Sequence, residues 1–247
     1  MTKEFKTILG INFFIGDMER LLELCPQGYF IVVPAAPALA DLTTDDAYRV
    51  AVEKSDFAIT DSGLMVLLWK IFTGEVLIRL SGLKLLRGLL SGPELRDLGA
   101  SFWIMPSERE KEINLAWLQQ NGVPVQEENC PVAPMYGKGP IVDSALLAQV
   151  EALRPRYVII NLGGGVQERL GYYLKNHLSY RPTILCVGAA IAFITGIQAN
   201  IPPWADKWML GWFFRCLAAP RKFIPRYWKA LRIVGILFKY RDQSVAN

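Results

Sequence analysis

The chain has 247 residues, of which 52% are hydrophobic and 20% charged, and its formal net charge is +4. This length fits one large α/β domain, with or without an appendage. No apolar run reaches the roughly 18–20 residues of a transmembrane helix, and the N-terminal MTKEFKTILGINFF lacks a signal-peptide cleavage site, so the sequence predicts a cytoplasmic chain.

Apolar runs alternate with helix-like segments over most of the chain. The predicted strands are rich in β-branched and aromatic residues, and they cover 29–34, 56–60, 101–105, 156–162 and 183–187. The predicted helices cover 44–54, 64–73, 107–122, 144–153 and 167–178. This alternation predicts an α/β fold with a Rossmann-like, mostly parallel sheet and helices on both faces.

Helix ends carry recognisable capping signals. Thr44 is the predicted N-cap of the first helix, with Asp45 and Asp46 in its first turn. Ser107 opens a capping box before the third predicted helix, and Gly74 is placed to end the second.

The organisation changes near residue 201, where Pro202 and Pro203 introduce a segment rich in aromatic and basic residues. From Arg215 onward eight basic residues stand against one acid, a net charge of +7, so the preceding 214 residues are net −3. The sequence therefore predicts an α/β catalytic domain over 1–200 and a helical, basic and aromatic appendage over 201–247.

Three ligands suit such an appendage: nucleic acid, a membrane surface, or an anionic group such as a pyrophosphate. Nucleic acid is disfavoured because the rest of the chain is net acidic and no known module fits. The stretch 227–240 has the composition of a helix lying on an anionic bilayer. A solvated helix face over a Trp-rich core is the structural alternative.

Cysteine and histidine usage excludes several chemistries. The four cysteines are far apart, without a CxxC pair, so we expect buried thiols and neither a disulfide framework nor a zinc site. The single histidine, His177, has no candidate partner by spacing. Ser-His-Asp hydrolysis and His-ligated metal catalysis are therefore disfavoured, and we expect no metal.

Asp61 is the candidate general base. It follows the predicted strand 56–60, and ligands of open parallel sheets bind beyond the carboxyl ends of the strands. A turn or N-cap role for this aspartate is an equal alternative on position alone.

The segment VIINLGGGVQERL (158–170) joins a strand to a helix through a glycine-rich turn. Such a turn admits a phosphate to a helix N-terminus, and Gln167 and Glu168 add polar groups beside it. It is neither a dinucleotide fingerprint nor a P-loop, because Glu168 stands at the third glycine position and no Walker lysine follows. A tight strand-to-helix turn without a ligand is the alternative.

The order of these pieces resembles the WecG/TagA/CpsF-type bacterial glycosyltransferases. The matching segments are SDFAITDSG (55–63), RLSG (79–82), GGGVQE (163–168) and, near the C-terminus, PPW (202–204), WFFR (212–215), PR (220–221) and RY (226–227). The resemblance covers nearly the whole chain.

This resemblance implies inverting transfer of a sugar from a UDP-sugar donor to a polyprenyl-diphosphate-linked saccharide, without metal or other cofactor. It implies a peripheral location at the cytoplasmic face of the plasma membrane, and a homo-oligomer is a further option. Asp61 would be the base. The implied donor- or acceptor-binding residues are Arg79, Ser81, Gly163, Gly164, Gly165, Gln167, Glu168, Arg215, Arg221 and Arg226.

Some positions depart from the family pattern. Pro34 and Ala36 stand where the family has Thr and Asn, Lys84 and Ala192 stand where it has acids, and Gly165 replaces a proline. The departures suggest a donor other than N-acetylmannosamine, with glucose as a candidate. A non-catalytic relative that binds lipid-linked saccharide or partner enzymes is the alternative function.

Overall fold

A computed structural model describes residues 4–198, 217 and 220–246 of the chain. Its strands form one seven-stranded sheet of order β1-β2-β4-β3-β7-β6-β5. Their bounds are Phe5–Ile8 (β1), Ile11–Phe14 (β2), Phe30–Val32 (β3), Phe57–Ile59 (β4), Ser101–Ile104 (β5), Tyr157–Ile160 (β6) and Thr183–Cys186 (β7).

Helices follow most of these strands. They are Met18–Leu24 (α1), Ala36–Leu39 (α2), Asp46–Glu53 (α3), Gly63–Thr73 (α4), Gly82–Ser91 (α5), Glu108–Gln120 (α6), Ser144–Leu153 (α7), Val166–His177 (α8), Ala190–Ile194 (α9), Pro220–Ala230 (α10) and Arg232–Tyr240 (α11). Short 3-10 turns occupy Cys25–Gln27 and Glu127–Asn129.

Two apolar cores lie on the two faces of the sheet. Successive strand residues alternate between them, as when Val158 and Ile160 of β6 join one core while Tyr157 and Ile159 join the other. Helices α3, α8 and α11 cover the first face, and α1, α5 and α6 cover the second. The predicted α/β fold with a mostly parallel sheet and helices on both faces is confirmed.

An antiparallel hairpin of β1 and β2 was not expected from the sequence. Leu9 and Gly10 form its two-residue turn, with φ of 54° and 75°. Positive φ at both turn positions normally selects Asn-Gly or Asp-Gly, and Leu-Gly gives no such signal. The far end of the chain supports this turn, since Leu9 N–H donates to the Arg241 carbonyl at 2.6 Å.

The predicted helix ends at Ser107 and Gly74 are confirmed, although for the capping box only the bond accepted by Ser107 is described. Ser107 accepts the Glu110 N–H as N-cap of α6, and α4 ends at Gly74 in the left-handed region. The predicted N-cap Thr44 is wrong, because Asp45 takes that place and accepts the Tyr48 N–H at 2.9 Å. The Thr44 hydroxyl instead donates to the Asp41 carbonyl in the preceding turn.

The described part of the C-terminal region is helical, as predicted, and it joins the first core. Ile233, Ile236 and Leu237 of α11 are buried, and α11 packs against α4 while α10 packs against α2. The boundary at residue 200 stays a prediction, and the Trp-rich segment 201–216 lies outside the described residues.

The shared core predicts a global cost for truncating α11. Leu237→Ala should lower the free energy of unfolding by about 2–4 kcal/mol, because it opens a cavity in the core. Val234→Ala on the exposed side of the same helix should cost less than about 1 kcal/mol. Denaturant unfolding of the whole chain measures both, and equal small costs would show that α11 stands apart from the core.

Candidate active site

The parallel strands place four chain segments at one edge of the sheet. Residue 33 follows β3, residue 60 follows β4, residue 161 follows β6 and residue 187 follows β7. Strands β3 and β7 are neighbours, but the chain passes from β3 to α2 on the first face and from β7 to α9 on the second. Connections that leave neighbouring strands toward opposite faces open the crevice in which α/β sheets bind ligands.

Asp61 lies at this edge and is half-buried. Its Oδ1 accepts the N–H of Gly82, the first residue of α5, at 3.1 Å. A Cβ on Gly82 would lie 2.9 Å from Cγ1 of Val33, so the glycine allows α5 to begin against the end of β3. The N-terminus of α5 thus orients the Asp61 carboxylate, a favourable position for a negative charge.

The capping role that was the alternative for Asp61 belongs to its neighbour. Ser62 is the N-cap of α4, and its hydroxyl accepts the Met65 N–H at 3.2 Å. In the described part of the chain, the only hydrogen bond to the Asp61 carboxylate is the one from Gly82. Among the described residues, its Oδ2 accepts no hydrogen bond.

Arg79 and Ser81 come to Asp61 from the segment that leads into α5. The Arg79 Nε donates to the Asp61 carbonyl at 2.9 Å, and buried Ser81 is the N-cap residue of α5. The structure thus brings together three of the residues predicted for the site.

Thr60 is a residue of this cluster that the sequence reasoning missed. Its buried hydroxyl donates to the Ile78 carbonyl at 2.5 Å and accepts the Leu80 N–H at 3.1 Å. It therefore holds both neighbours of Arg79. In the sequence Thr60 is one more β-branched residue at the end of a strand, and nothing there signals this contact.

The glycine turn after β6 borders the same edge. Gly163 and Gly164 are exposed, and a Cβ on Gly164 would lie 3.1 Å from the Cβ of Ala38 in α2. Gly165 has φ of +92°, which favours glycine and accounts for this residue in place of proline. The segment after β3 therefore approaches both features, with Val33 against Gly82 and Ala38 against the glycine turn.

Gln167 and Glu168 are buried behind the turn. The Gln167 Oε1 accepts the Gly188 N–H at 2.8 Å after β7, and its Nε2 donates to Glu168 at 3.1 Å. The other Glu168 oxygen accepts the Gly165 N–H at 2.6 Å, which caps α8. Both side chains thus bind groups of the chain itself, and their role in binding a substrate stays a prediction.

Burial raises the pKa of Glu168 to about 7, against the opposing effect of hydrogen bonds from Gln167 and from the Gly165 N–H. The carboxyl group is fully buried. The Glu168 carboxyl group, which lies next to the glycine turn, therefore changes charge in the neutral pH range.

The three arginines predicted for the C-terminal region are not brought to Asp61 by any described contact. Arg221 is exposed on α10. Arg226 lies in the same helix with its side chain outside the described atoms, and Arg215 lies outside the described residues. Their part in substrate binding stays a prediction.

A cavity of about 980 Å³ lies elsewhere, between α3, α8 and the loop 138–142. Arg169 lines it, but its guanidinium is engaged by the carbonyls of Gly137, Gly139 and Gly165. The cavity shares no residue with the Asp61 cluster, so its size does not make it the better candidate. Across residues 4–198 and 220–246, no cluster of three or more His, Cys, Asp or Glu side chains has a metal-binding arrangement.

A comparison with protein families decides the class of the protein. The model of the glycosyl transferase WecG/TagA/CpsF family matches residues 6–246. The chain belongs to this family. A search of curated proteins finds no match.

Family membership makes the chain a glycosyltransferase of polysaccharide biosynthesis, with a sugar donor and an acceptor. The resemblance read from the sequence is confirmed. Of the positions at which the sequence is expected to depart from the family pattern, Pro34 and Ala36 follow β3 and are both buried. Lys84 is exposed on α5, and Ala192 is buried in α9.

The contacts of Thr60 predict a role in positioning Arg79. Thr60→Val should cost about 1–3 kcal/mol of stability, since it leaves the Ile78 carbonyl and Leu80 N–H without their partner. It should also lower transferase activity in the remaining folded protein, whereas Thr60→Ser, which keeps the hydroxyl, should recover most of both. Unfolding curves and sugar transfer measure the two effects, and an active Thr60→Val protein would contradict the role.

The raised pKa of Glu168 predicts that the free energy of unfolding depends on pH. An unfolded glutamate ionises near pH 4.5, while folded Glu168 ionises at about pH 7. Between these values the folded chain keeps a proton that the unfolded chain has released, so stability falls as pH rises. The loss from pH 5 to pH 8 should be about 2–3 kcal/mol.

Urea unfolding at pH 5 and pH 8 tests this loss. Glu168→Gln should remove it, because the amide does not titrate, while Glu128→Gln on the surface should keep it. The same pH dependence in wild type and Glu168→Gln would refute the assignment.

Proposed function

We propose that the chain transfers a sugar, with inversion, from a UDP-sugar to a polyprenyl-diphosphate-linked saccharide, with Asp61 as general base. The observation that carries this proposal is the position of Asp61 at the ligand edge of the sheet, oriented by the N-terminus of α5 and next to Arg79. The family match supports the glycosyltransferase reaction itself.

An inverting transfer needs one base and one stabilised leaving group. The acceptor hydroxyl loses its proton to the Asp61 carboxylate as its oxygen bonds to the anomeric carbon of the donor. The bond between that carbon and the phosphate oxygen breaks on the opposite face, and UDP departs with the electron pair. A half-buried carboxylate with one oxygen held by Gly82 suits this task, since its orientation is set before substrate binds.

Positive groups must neutralise the departing diphosphate. Arg79 is the nearest candidate, and we propose that Arg215, Arg221 and Arg226 join it from the C-terminal region, with no metal required. The exposed glycines Gly163 and Gly164 offer backbone N–H groups beyond the part of the α8 N-terminus that Glu168 occupies.

The apolar residues at the candidate site bear on the donor. Pro34 and Ala36 offer no side-chain hydrogen bond where family members have Thr and Asn. We therefore propose a donor sugar other than N-acetylmannosamine, with glucose as the first to test. The same observation supports the alternative function, a non-catalytic relative that binds lipid-linked saccharide or partner enzymes.

The proposed lipid-linked acceptor lies in a membrane, so the reaction must take place at a membrane surface. We propose peripheral binding at the cytoplasmic face of the plasma membrane, with the basic C-terminal region against anionic lipid and a homo-oligomer as an option. Among the described helices, none combines the length and the hydropathy needed to span a bilayer.

Release of UDP from a panel of UDP-sugars, with membrane extract as acceptor source, tests the proposal. Asp61→Asn should lower the rate about 10²–10⁴-fold, as expected for loss of a general base, with little change in stability. Asp97→Asn removes a carboxylate that pairs with Arg156 at the surface and should keep wild-type activity. Equal rates in wild type and Asp61→Asn would refute Asp61 as the base, and no release with any donor would favour the non-catalytic alternative.

A further inference from the structure

Helix α4 and the turn after it expose apolar side chains immediately beyond Asp61. Leu67 and Ile71 lie one helical turn apart on α4 and are 46% and 64% exposed. Val76 and Ile78 follow in the returning segment and are 73% and 54% exposed. Four exposed apolar residues within twelve positions are more than an isolated surface residue and indicate a binding surface.

Helix α11 is apolar on two sides, and the described chain covers one of them. Ile233, Ile236 and Leu237 face the core, whereas Val234 and Phe238 are exposed at a spacing of four residues. Arg232 and Lys239 occupy the remaining side of the helix, so its apolar surface is wider than the part that the core covers. The outer side of α11 therefore suits a partner that is itself apolar.

These two surfaces are continuous. Phe238 of α11 contacts Phe72 of α4, with ring centroids 5.7 Å apart. We call the surface formed by the exposed residues of both segments the α4–α11 face, and it consists of Leu67, Ile71, Val76, Ile78, Val234 and Phe238.

The chain segments that form this face and the neighbouring α10 are rich in basic residues. The segments 63–79 and 220–240 contain eight Lys and Arg residues and one acid, Glu75. Glu75 is itself paired with Lys6 at 2.8 Å and accepts the Trp69 indole N–H at 3.1 Å. Lys70, Arg232 and Lys239 are exposed beside the apolar residues.

We propose that the α4–α11 face inserts into the surface of an anionic phospholipid bilayer. A second copy of the chain is a poorer occupant, because a two-fold interface would bring two basic surfaces together. An anionic bilayer instead matches both properties, with acyl chains for the apolar residues and headgroups for the surrounding Lys and Arg.

This orientation explains why the catalytic domain, and not the C-terminal region alone, presents apolar residues. Asp61 directly precedes α4, Arg79 directly follows Ile78, and the Arg79 Nε donates to the Asp61 carbonyl. Both ends of the inserted segment thus lie at the candidate base. With the proposed function taken as given, an acceptor whose diphosphate lies at headgroup level reaches Asp61 without leaving the membrane.

Sedimentation with vesicles of phosphatidylethanolamine and phosphatidylglycerol tests the face, using the full chain without donor or acceptor. The double variant Ile71→Glu/Val76→Glu should lower binding by about tenfold or more, because it removes two inserting side chains and adds two charges that anionic lipid repels. Both positions are exposed, so the melting temperature should stay unchanged. Neutral phosphatidylcholine vesicles should bind wild type more weakly.

The matched control is Leu98→Glu/Met135→Glu, which makes the same change of charge at exposed apolar positions outside the face. It should retain wild-type binding to within about twofold. Equal binding by wild type and both variants, an equal loss in both variants, or no binding by wild type would each overturn the proposal.

Sedimentation velocity tests whether a second copy of the chain, and not a bilayer, covers the α4–α11 face. If wild type is a dimer, Ile71→Glu/Val76→Glu is a monomer and lipid binding is unchanged, the face is an interface between copies and the proposal is wrong. Because the vesicle assay contains no sugar nucleotide, its outcome is independent of UDP release, which alone decides the proposed function.

Discussion

The hydrogen bonds that join Thr60 and Asp61 to the segment 78–82 determine the shape of the candidate site. Asp61 alone, at the end of a short strand, would have a freely rotating carboxylate and no neighbouring cation. The Gly82 N–H fixes that carboxylate, and the Thr60 hydroxyl fixes the backbone on both sides of Arg79. Asp61 and Arg79, which are 18 positions apart in sequence, thereby lie next to each other, and the segment between them, which contains α4, is held at both ends.

Close backbone packing connects this unit to the rest of the sheet edge. Gly82 lies against Val33 after β3, and Gly164 lies against Ala38 in α2. Gln167 then joins the glycine turn to Gly188 after β7. The edge that carries the candidate site is thus linked by contacts from β4 through β3 and β6 to β7, and the proposed electrostatic catalysis requires such a fixed arrangement.

The sequence predicts the parts of this fold that depend on local chemistry. β-Branched and aromatic runs predict the five strands β3 to β7, Ser107 and Gly74 mark helix ends, and the strand-to-turn position of Asp61 places it at the edge of the sheet. The sequence does not predict the β1–β2 hairpin, because Leu9 adopts a left-handed conformation that its own side chain does not favour. The hydrogen-bonding roles of Thr60, Gln167 and Glu168 cannot be predicted from the sequence for another reason. Each depends on a partner that the fold brings near.

The contact between Leu9 and Arg241 has a consequence for how the molecule is made. Residues 241–245 lie against the hairpin, with Ser244 close to Gly10 and bonded to Glu53. During synthesis β1 and β2 leave the ribosome long before residues 241–245 are made. The hairpin therefore stays partly uncovered until these residues emerge. Contacts of such sequence separation slow folding, and the hairpin should reach its native environment only after residues 241–245 have been synthesised.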